Sequence, residues 1–416
     1  MKFSEYNIAP EIKYNLEQLG FKKPTDIQFK AIPSILRGED VLAIAQTGTG
    51  KTAAFAIPLI NLIYNQKNSS RSDSIKCIVM VPTHELALQV AEVFDTIAHK
   101  TKVKTLCIFG GVEQAPQIQS LYKGVDIVIA TPGRMFDLIH QGALDISKIK
   151  YLVLDEADHM LDLGFIKDIN DMMRFLPKHR QTLFFSATIN EYIKKIAYSL
   201  VTNPIRIQIS PKDPVSKNVQ HAVAYIEMDE KRFFLERIIS EHPDSKILVF
   251  VRTKVRAERV AEAMKRVGIE TLTMHSDKVQ QDRLEILNKF KEAKIKILIA
   301  TDINARGIDI PNVDYVVNYD LPEKAENYVH RVGRTGRGTK KGQAIAFCSQ
   351  EEKATLAEIE TFLHQPIHVI EMDTTEKKEI LFEAETKTIP EGDWRALIAK
   401  AEEEDRIYAS KKRKKK

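Results

Sequence analysis

Short runs of apolar, β-branched residues alternate with helical stretches over the first half of the chain, from about residue 40 to residue 209. Several of these runs contain no polar position, which is typical of strands covered on both faces of a sheet. The alternation predicts an α/β fold with a mostly parallel sheet and right-handed helical crossovers. The predicted strands are Val41–Ala45, Cys77–Val81, Val103–Phe109, Ile127–Ala130, Tyr151–Leu154, Thr182–Phe185 and Ile205–Ile209.

The second half repeats the pattern behind a polar segment with two prolines, Ser210–Asn218, which predicts a linker. Its predicted strands are Ile247–Val251, Thr271–Met274, Ile297–Ala300, Tyr315–Asn318 and Ala344–Phe347, with helices such as Val255–Val267 between them. Beyond about residue 370 the chain is charged and mixed, with Trp394 in a weak helical pattern, and we expect this part to be largely disordered. The predicted organisation is a first domain at 1–209, a linker at 210–218, a second domain at 219–370 and an extension at 371–416.

The composition is that of a soluble globular protein, with 416 residues, 44% apolar and 29% charged. Its net charge of +5 is misleading, because the six basic residues of Lys411–Lys416 leave −1 on the remainder. Cys77, Cys107 and Cys348 lie far apart in apolar runs and form no metal spacing or disulfide framework, which fits a reducing cytosol. No apolar run approaches the ~18 residues of a membrane span. We therefore expect a cytoplasmic protein that does not enter a membrane.

A glycine-rich stretch, A-Q-T-G-T-G-K-T at Ala45–Thr52, follows the first predicted strand and precedes a helical run. Gly48 and Gly50 allow a tight turn in which successive backbone N–H groups converge on one point. Lys51 adds a cation for the β- and γ-phosphates, and the Thr52 hydroxyl is suited to Mg²⁺. The alternative is a turn that binds nothing, but strand, loop, Lys-Thr pair and helix all agree with a phosphate-binding loop. Its one departure from G-x-x-x-x-G-K-[ST] is alanine at the first position.

A predicted strand, Tyr151–Leu154, ends directly in the acidic segment D-E-A-D at 155–158. Open α/β sheets carry their sites at the carboxyl ends of strands, so Asp155 is suited to holding Mg²⁺ through water. Glu156 is suited to orienting and deprotonating an attacking water molecule. An acidic strand end is often only the start of a helix, and it is the phosphate-binding loop that favours the catalytic interpretation.

Two arginines separated by glycine, Arg334 and Arg337, lie in the segment H-R-V-G-R-T-G-R at 330–337. The glycines allow close backbone approach, and guanidinium groups match phosphate oxygens. One alternative is a surface loop that binds no phosphate, and another is a loop that binds nucleic acid only. The interpretation that we favour is an arginine finger, supplied by the second domain to a triphosphate held by the first. Hydrolysis would then depend on closure of the two domains.

With these motifs in this order, the chain resembles the DEAD-box ATP-dependent RNA helicases of superfamily 2 over about residues 1 to 370, as a short bacterial member with a basic tail. The resemblance implies two tandem RecA-like domains with ATP and Mg²⁺ as cofactors. It implies that adenine is read by Gln28, in G-F-K-K-P-T-D-I-Q, and stacks on Phe3. The implied ATP-binding residues are Phe3, Phe21, Gln28, Ala45, Gln46, Thr47, Gly48, Thr49, Gly50, Lys51, Thr52 and, at the ribose, Asp309. The implied catalytic residues are Lys51, Asp155, Glu156, Arg334 and Arg337, and the metal is assigned to Thr52 and Asp155.

The resemblance also implies an RNA interface and a set of residues that couple hydrolysis to strand separation. The implied RNA-facing residues are Pro82, Thr83, Gly110, Gly111, Thr131, Pro132, Gly133 and Arg134 in the first domain, and Arg252, Thr253, Gln280, Arg283 and Thr301 in the second. The implied coupling residues are Asp158, Ser186, Thr188, His330 and Arg331. Among these, Arg331 is expected to tie the closed cleft to the first domain.

Three positions depart from the family pattern. His84, in P-T-H-E-L-A, replaces the usual arginine, so a titratable imidazole stands where a permanent cation is common. Ser276 replaces a common glycine and Asn304 a common alanine. None of the three belongs to the ATP motifs, so we expect activity to be retained, with altered RNA affinity.

The leading hypothesis is an RNA-stimulated ATPase that unwinds short duplexes or remodels RNA–protein complexes. The alternatives are an ATP-gated RNA clamp or chaperone with little processive unwinding and, less favoured by the motifs, a DNA translocase. The nearly neutral body predicts contacts mainly to phosphates and sugars, with little sequence read. The expected protein is a monomer whose partner is RNA. Ribosomal precursors and RNA-degradation proteins are further candidate partners.

Overall fold

The structure, a computed structural model, describes residues 2–46, 48–67, 74–209, 215, 218–302, 313–336, 341–371 and 380. These residues form two parallel β-sheets of seven strands each, with helices packed against both faces. The predicted α/β fold is confirmed. Four of the predicted functional or departing positions, Thr47, Asn304, Asp309 and Arg337, lie outside the described residues, as does the basic tail. Within the described part of the chain, no helix has the length and apolar character needed to span a bilayer.

The first sheet has the strand order β3-β4-β2-β5-β6-β1-β7. Its strands are β1 (Val41–Ala45), β2 (Cys77–Met80), β3 (Thr105–Ile108), β4 (Ile127–Ala130), β5 (Tyr151–Leu154), β6 (Gln181–Ser186) and β7 (Ile205–Ile209). All residues of β1, β2, β4, β5 and β6 are buried, as the continuous apolar runs predict. The bounds of β1, β4, β5 and β7 are those predicted, and the other strands differ only at their ends.

Helices cover the first sheet in two apolar layers. One layer contains α1 (Pro10–Gln18), α2 (Asp26–Leu36), α3 (Lys51–Gln66) and α4 (His84–Ile97). The other contains α5 (Ala115–Tyr122), α6 (Pro132–His140), α7 (Ala157–Asp162), α8 (Ile166–Phe175) and α9 (Glu191–Leu200). A short 3₁₀ helix, Phe3–Glu5, precedes α1 and packs in the first layer.

The second sheet has the strand order β10-β11-β9-β12-β13-β8-β14. Its strands are β8 (Val219–Tyr225), β9 (Ile247–Phe250), β10 (Leu272–Met274), β11 (Ile297–Ala300), β12 (Tyr315–Asn318), β13 (Gly342–Cys348) and β14 (His368–Val369). Its described helices are α10 (Lys231–Glu241), α11 (Lys254–Arg266), α12 (Gln280–Lys291), α13 (Ala325–Val332) and α14 (Lys353–Leu363).

Two strands of the second sheet, β8 and β14, are absent from the prediction. In β8, Gln220 and His221 interrupt the apolar pattern, and the strand is specified by its ladders to β13 and β14 instead. With two residues, β14 is too short to carry any periodicity. The predicted domain bounds remain a prediction, although the last strand of the first sheet ends at Ile209 and β8 begins at Val219.

Parallel pairing places the candidate motifs at one edge of the first sheet. The phosphate-binding loop follows β1, the acidic segment follows β5, and Ser186 ends β6, which lies between β1 and β5. Carboxyl ends of parallel strands share an edge, where open α/β sheets bind ligands. Residues from segments far apart in the chain therefore meet there.

A buried ion pair supports the corresponding edge of the second sheet. The fully buried Lys231 ammonium lies 2.5 Å from Glu352 Oε2 and donates to the carbonyl of Tyr319. Glu352 Oε1 accepts hydrogen bonds from the Leu321 backbone and from Arg252. Burial by itself raises the pKa of the Glu352 carboxyl, but the Lys231 charge together with hydrogen bonds from Lys231 and two backbone N–H groups outweighs it, and the pKa lies below its ordinary value.

Replacing one partner of this pair should destabilise the second domain. Glu352→Gln leaves the buried Lys231 with Asp320, 3.8 Å away, as its remaining counter-charge. We therefore expect the free energy of unfolding to fall by about 3 kcal/mol, the lower end of the cost of breaking a buried ion pair. Because the folded-state pKa of Glu352 is depressed, its contribution is fully present above the unfolded-state pKa and is lost as pH falls through the folded-state pKa. The loss should therefore shrink in acid. Urea denaturation followed by circular dichroism measures both effects.

The matched control for this prediction is Lys231→Met added to Glu352→Gln. The second substitution removes the Lys231 ammonium, which has lost its nearest partner, and keeps a side chain of similar length. Part of the lost stability should therefore return. If the double variant is no more stable than Glu352→Gln, the assignment of the loss to an unpaired charge is wrong.

Candidate active site and RNA interface

The phosphate-binding loop joins β1 to α3 through two residues with left-handed backbone. Gly48 has φ +80° and Gly50, at the start of α3, has φ +89°. Lys51 is 6% exposed, and its Nζ donates to the Ala45 carbonyl at 2.8 Å, which holds the ammonium over the loop. Ala45 ends β1 without a positive φ, so the first position of the motif does not need glycine here.

The predicted adenine-recognition motif packs directly on this loop. Gln28 is 3% exposed, its Nε2 donates to the Gly50 carbonyl at 3.1 Å, and its Oε1 accepts from the Thr25 backbone at 3.0 Å. One amide proton and one oxygen lone pair remain for a base. Phe3 is only 4% exposed, because its ring packs at 5.7 Å on Phe21. The geometry favours the half-buried Phe21 as the ring that adenine reaches, with Phe3 behind it. Both assignments remain predictions.

Asp155 and Glu156 follow β5 and face the phosphate-binding loop. Both side chains are buried, at 2% and 7% exposure, and the Glu156 backbone N–H donates to Asp155 Oδ1 at 3.0 Å. Glu156 has φ +50°, a left-handed conformation that is rare outside glycine. Backbone strain of this kind is concentrated at functional sites.

The environments of the two carboxyls differ. Burial raises the pKa of Asp155 to about 7, and the charge of Lys51 offsets only part of that. Burial also acts to raise the pKa of Glu156, but His159, Lys51 and Arg334 outweigh it and lower the pKa to about 2. His159 Nδ1 lies 3.6 Å from Glu156 Oε2 and belongs to the site, although the sequence prediction omits it. Its only sequence signal is its place one helical turn after Glu156.

The last residue of the acidic segment joins β5 to the loop after β6. Asp158 Oδ2 accepts hydrogen bonds from the backbone of Ala187 at 3.2 Å and from the backbone and hydroxyl of Thr188, each at 2.9 Å. The Ser186 hydroxyl donates to the Thr188 carbonyl at 2.6 Å. A shift of the loop that follows β6 would therefore displace the Asp158 side chain, two residues from Glu156.

The second domain contributes Arg334 to this site. Arg334 is 2% exposed, its Nε donates to the His330 carbonyl at 3.1 Å, and its charge acts on Glu156 across the domain boundary. A cavity of about 440 Å³ also lies between the domains. It is lined by Glu156, Asp158, His159 and Thr188 of the first domain and by Lys324, Asn327 and His330 of the second, among others.

The guanidinium of Arg331 is held within the second domain. This arginine is 1% exposed and donates from Nε and Nη2 to Asp302 at 2.6 and 2.8 Å, and from Nη1 to Asn318 and the Asp320 carbonyl. All these partners belong to the second domain. The expected tie of Arg331 to the first domain stays a prediction.

Most of the predicted RNA-facing residues lie at the beginnings of helices that follow strands. Thr83 caps α4 and Thr131 precedes α6 in the first domain, whereas Thr253 caps α11 in the second. Helix N-termini present unsatisfied backbone N–H groups and a positive dipole end to phosphates. The remaining predicted residues at these loops are Pro82, Pro132, Gly133, Arg134, Arg252 and Thr301, of which Gly133 and Arg252 are exposed. Arg134 donates to the Val112 carbonyl at 2.8 Å.

The side chains of Gln280 and Arg283 contact the first domain in this structure. Both contact Glu85 of the first domain, Gln280 through Nε2 at 3.2 Å and Arg283 through Nη2 at 2.7 Å. Gln280 is 6% exposed and the Arg283 side chain 14%, so neither presents much surface to RNA. In this structure they join the two domains, beside Gly110 and Gly111.

Two family profiles match the two domains. Residues 25–196 match the profile described as "DEAD/DEAH box helicase", and residues 230–339 match "Helicase conserved C-terminal domain". The DEAD-box ATP-dependent RNA helicase CshA of Geobacillus kaustophilus is 41% identical over 360 residues, which cover 86% of this chain and 76% of that protein. The chain belongs to the DEAD-box ATP-dependent RNA helicase family. Family membership makes it an ATP-hydrolysing enzyme with two tandem RecA-like domains.

Other members of the DEAD-box family agree in sequence and fold. The ATP-dependent RNA helicase DbpA of Bacillus subtilis is 38% identical over 90% of this chain and 77% of its own. S. cerevisiae Dbp5 bound to RNA and ADP BeF3 superposes with a TM-score of 0.80 at 30% identity, over 93% of this chain and all of that one. A DEAD box protein from Methanococcus jannaschii reaches only 0.51 at 37% identity, over 89% and 99% of the chains. The Methanococcus jannaschii protein is more identical in sequence than Dbp5 but superposes less well. Two similar domains placed differently relative to each other would give this result.

The two glycines of the phosphate-binding loop give a paired prediction for this DEAD-box enzyme. A Cβ on Gly50 would lie 2.5 Å from Gln28 Nε2, whereas a Cβ on Gly48 would meet nothing within 4 Å. Both substitutions strain a left-handed residue by about 1–2 kcal/mol. Gly50→Ala also displaces Gln28, so we expect it to weaken ATP binding roughly ten-fold more than Gly48→Ala, a difference of about 1.4 kcal/mol. Equilibrium titration with ATP measures both, and equal losses would contradict the link from Gln28 to the loop.

Proposed function

We propose that this chain is an RNA-stimulated ATPase that opens short RNA duplexes locally or remodels RNA–protein complexes. One observation carries the proposal: Glu156 and His159 of the first domain line one cavity with Asn327 and His330 of the second, and the charge of Arg334 acts on Glu156 from the second domain. A site completed only when two domains meet couples hydrolysis to whatever favours their meeting. Helix N-termini on both domains make an RNA backbone the ligand that does so.

The residues of the first domain fit ATP and Mg²⁺. Magnesium takes few protein oxygens and keeps several waters, and Thr52 with Asp155 supplies such a set. The buried Asp155 carboxyl supports this fit, because its raised pKa means that nearby positive charge is needed to hold it ionised. When bound, the ion would offset charge on the phosphates. Gln28 and Phe21 would bind the adenine base, and Asp309 would bind the ribose.

The chain's own groups account for the hydrolytic step. Glu156 orients the attacking water and accepts its proton, held in place by its left-handed backbone and by His159. Lys51 and Arg334 stabilise the negative charge of the γ-phosphoryl group as it is transferred. Asp158 accepts a hydrogen bond from Thr188, which in turn is bonded to Ser186. Because Thr188 lines the cavity between the domains, a change at the site would move a residue of that cavity.

Substitution of Glu156 tests this assignment. Glu156→Gln keeps the shape of the side chain and removes its basicity, so we expect RNA-stimulated ATP turnover to fall by about 10²–10⁴-fold while ATP binding persists. Phosphate release with and without RNA measures the turnover. The matched control is Glu17→Gln, an exposed carboxyl on α1. Turnover near the wild-type rate in Glu156→Gln would show that another group activates the water.

The basic tail gives a second test of RNA binding. We suppose that all six residues 411–416 contact single-stranded RNA phosphates. Deleting them should then reduce the magnitude of the slope of log K against log salt by roughly four, at about 0.7 per contact. Binding titrations across salt concentrations measure the slope. An unchanged slope would show that the tail does not touch RNA.

The proposal extends to the setting of the enzyme. The active site draws on both domains of one chain, so a monomer suffices. RNA is the main partner, contacted through its backbone, and the location is the cytoplasm. ATPase stimulation by RNA compared with DNA, together with duplex displacement run beside ATP-dependent RNA retention, separates this function from a DNA translocase and from a clamp.

A further inference from the structure

A chain of side-chain contacts crosses the domain boundary where α4 and α12 begin. His84 Nδ1 lies 2.9 Å from Gln280 Oε1. Gln280 Nε2 donates to Glu85 Oε1 at 3.2 Å, and Arg283 Nη2 pairs with the same oxygen at 2.7 Å. Glu85 and Gln280 are 2% and 6% exposed, so these contacts are sheltered from water.

These contacts decide which nitrogen of His84 carries the proton. The Glu85 carboxylate accepts, so the nitrogen of the Gln280 amide must face it and the amide oxygen must face His84. An amide oxygen also only accepts, so His84 Nδ1 must donate. A neutral imidazole can donate from Nδ1 while Nε2 carries no proton. The contact therefore forms without a positive charge on the ring.

Packing holds the ring in this orientation. The Phe109 ring lies 5.5 Å from the His84 ring, and a Cβ on Gly110 would lie 3.7 Å from His84 Nε2. Gly111 has φ +74°, and a Cβ there would lie 3.0 Å from Gln280 Cβ. The two glycines thus leave the space in which His84 and Gln280 meet.

We propose that His84 is a positioning residue for domain closure. Its Nδ1–H orients the Gln280 amide toward Glu85, so that Gln280 and Arg283 together hold the carboxylate of the opposite domain. A neutral donor thereby stands where the family pattern has a permanent cation. The inference rests on the proposed function, because closure is read through RNA-dependent ATP turnover.

Two substitutions separate the donor from the ring. In His84→Asn the side-chain amide nitrogen stands near the position of Nδ1 and keeps the donor, whereas His84→Phe keeps a ring against Phe109 and loses it. We expect His84→Phe to raise the KM for RNA about five-fold relative to His84→Asn, the effect of one hydrogen bond. The turnover at saturating RNA should be equal in the two, since neither side chain reaches ATP. Circular dichroism and ATP binding verify that both variants fold.

The outcomes distinguish the two proposals. Equal KM values for His84→Asn and His84→Phe would overturn the role of His84. Absence of RNA stimulation in the wild type would instead overturn the proposed function, before any variant is compared.

Discussion

The candidate active site depends on the electrostatic influence of a buried guanidinium on a buried carboxylate across a domain boundary. Glu156 is in a place where burial alone would favour its neutral form, and part of the charge that keeps it ionised comes from Arg334 on the other domain. His159 and Lys51 supply the rest of that charge, because an unpaired charge is costly to bury. The catalytic state is therefore a property of the pair of domains.

The contacts that hold this closed arrangement differ in strength. Lys324 and Asp162 pair at 2.8 Å, but their side chains are 59% and 38% exposed, and water and salt screen such a pair. Glu85, by contrast, is buried and is held by Gln280 and Arg283. All of these contacts are polar, and a polar interface between domains is one that opens readily. Reversible closure is what a cycle of ATP binding and release requires.

Within each domain, the groups next to the boundary are held by internal networks. Asp158 is fixed by the loop after β6, and Arg331 is fixed by Asp302 and the end of β12. Arg331 is therefore held within the second domain, three residues from Arg334. Networks of this kind hold the loops beside the boundary in fixed positions within each domain.

The amino-acid sequence by itself determined the two parallel sheets, since continuous apolar runs between helices have few other solutions, and it determined the phosphate-binding loop and the acidic segment. These are local patterns, with the glycines, lysine and carboxylates contiguous in the chain. Tertiary structure alone decided three matters. It added β8 and β14, whose pairing comes from neighbouring strands. It paired Gln280 and Arg283 with the buried Glu85, and Arg331 with the partly exposed Asp302, because these carboxylates accept from their donors. It also brought His159 into the site and gave His84 its partner Gln280, because a histidine's role depends on which atoms of other segments lie beside its ring.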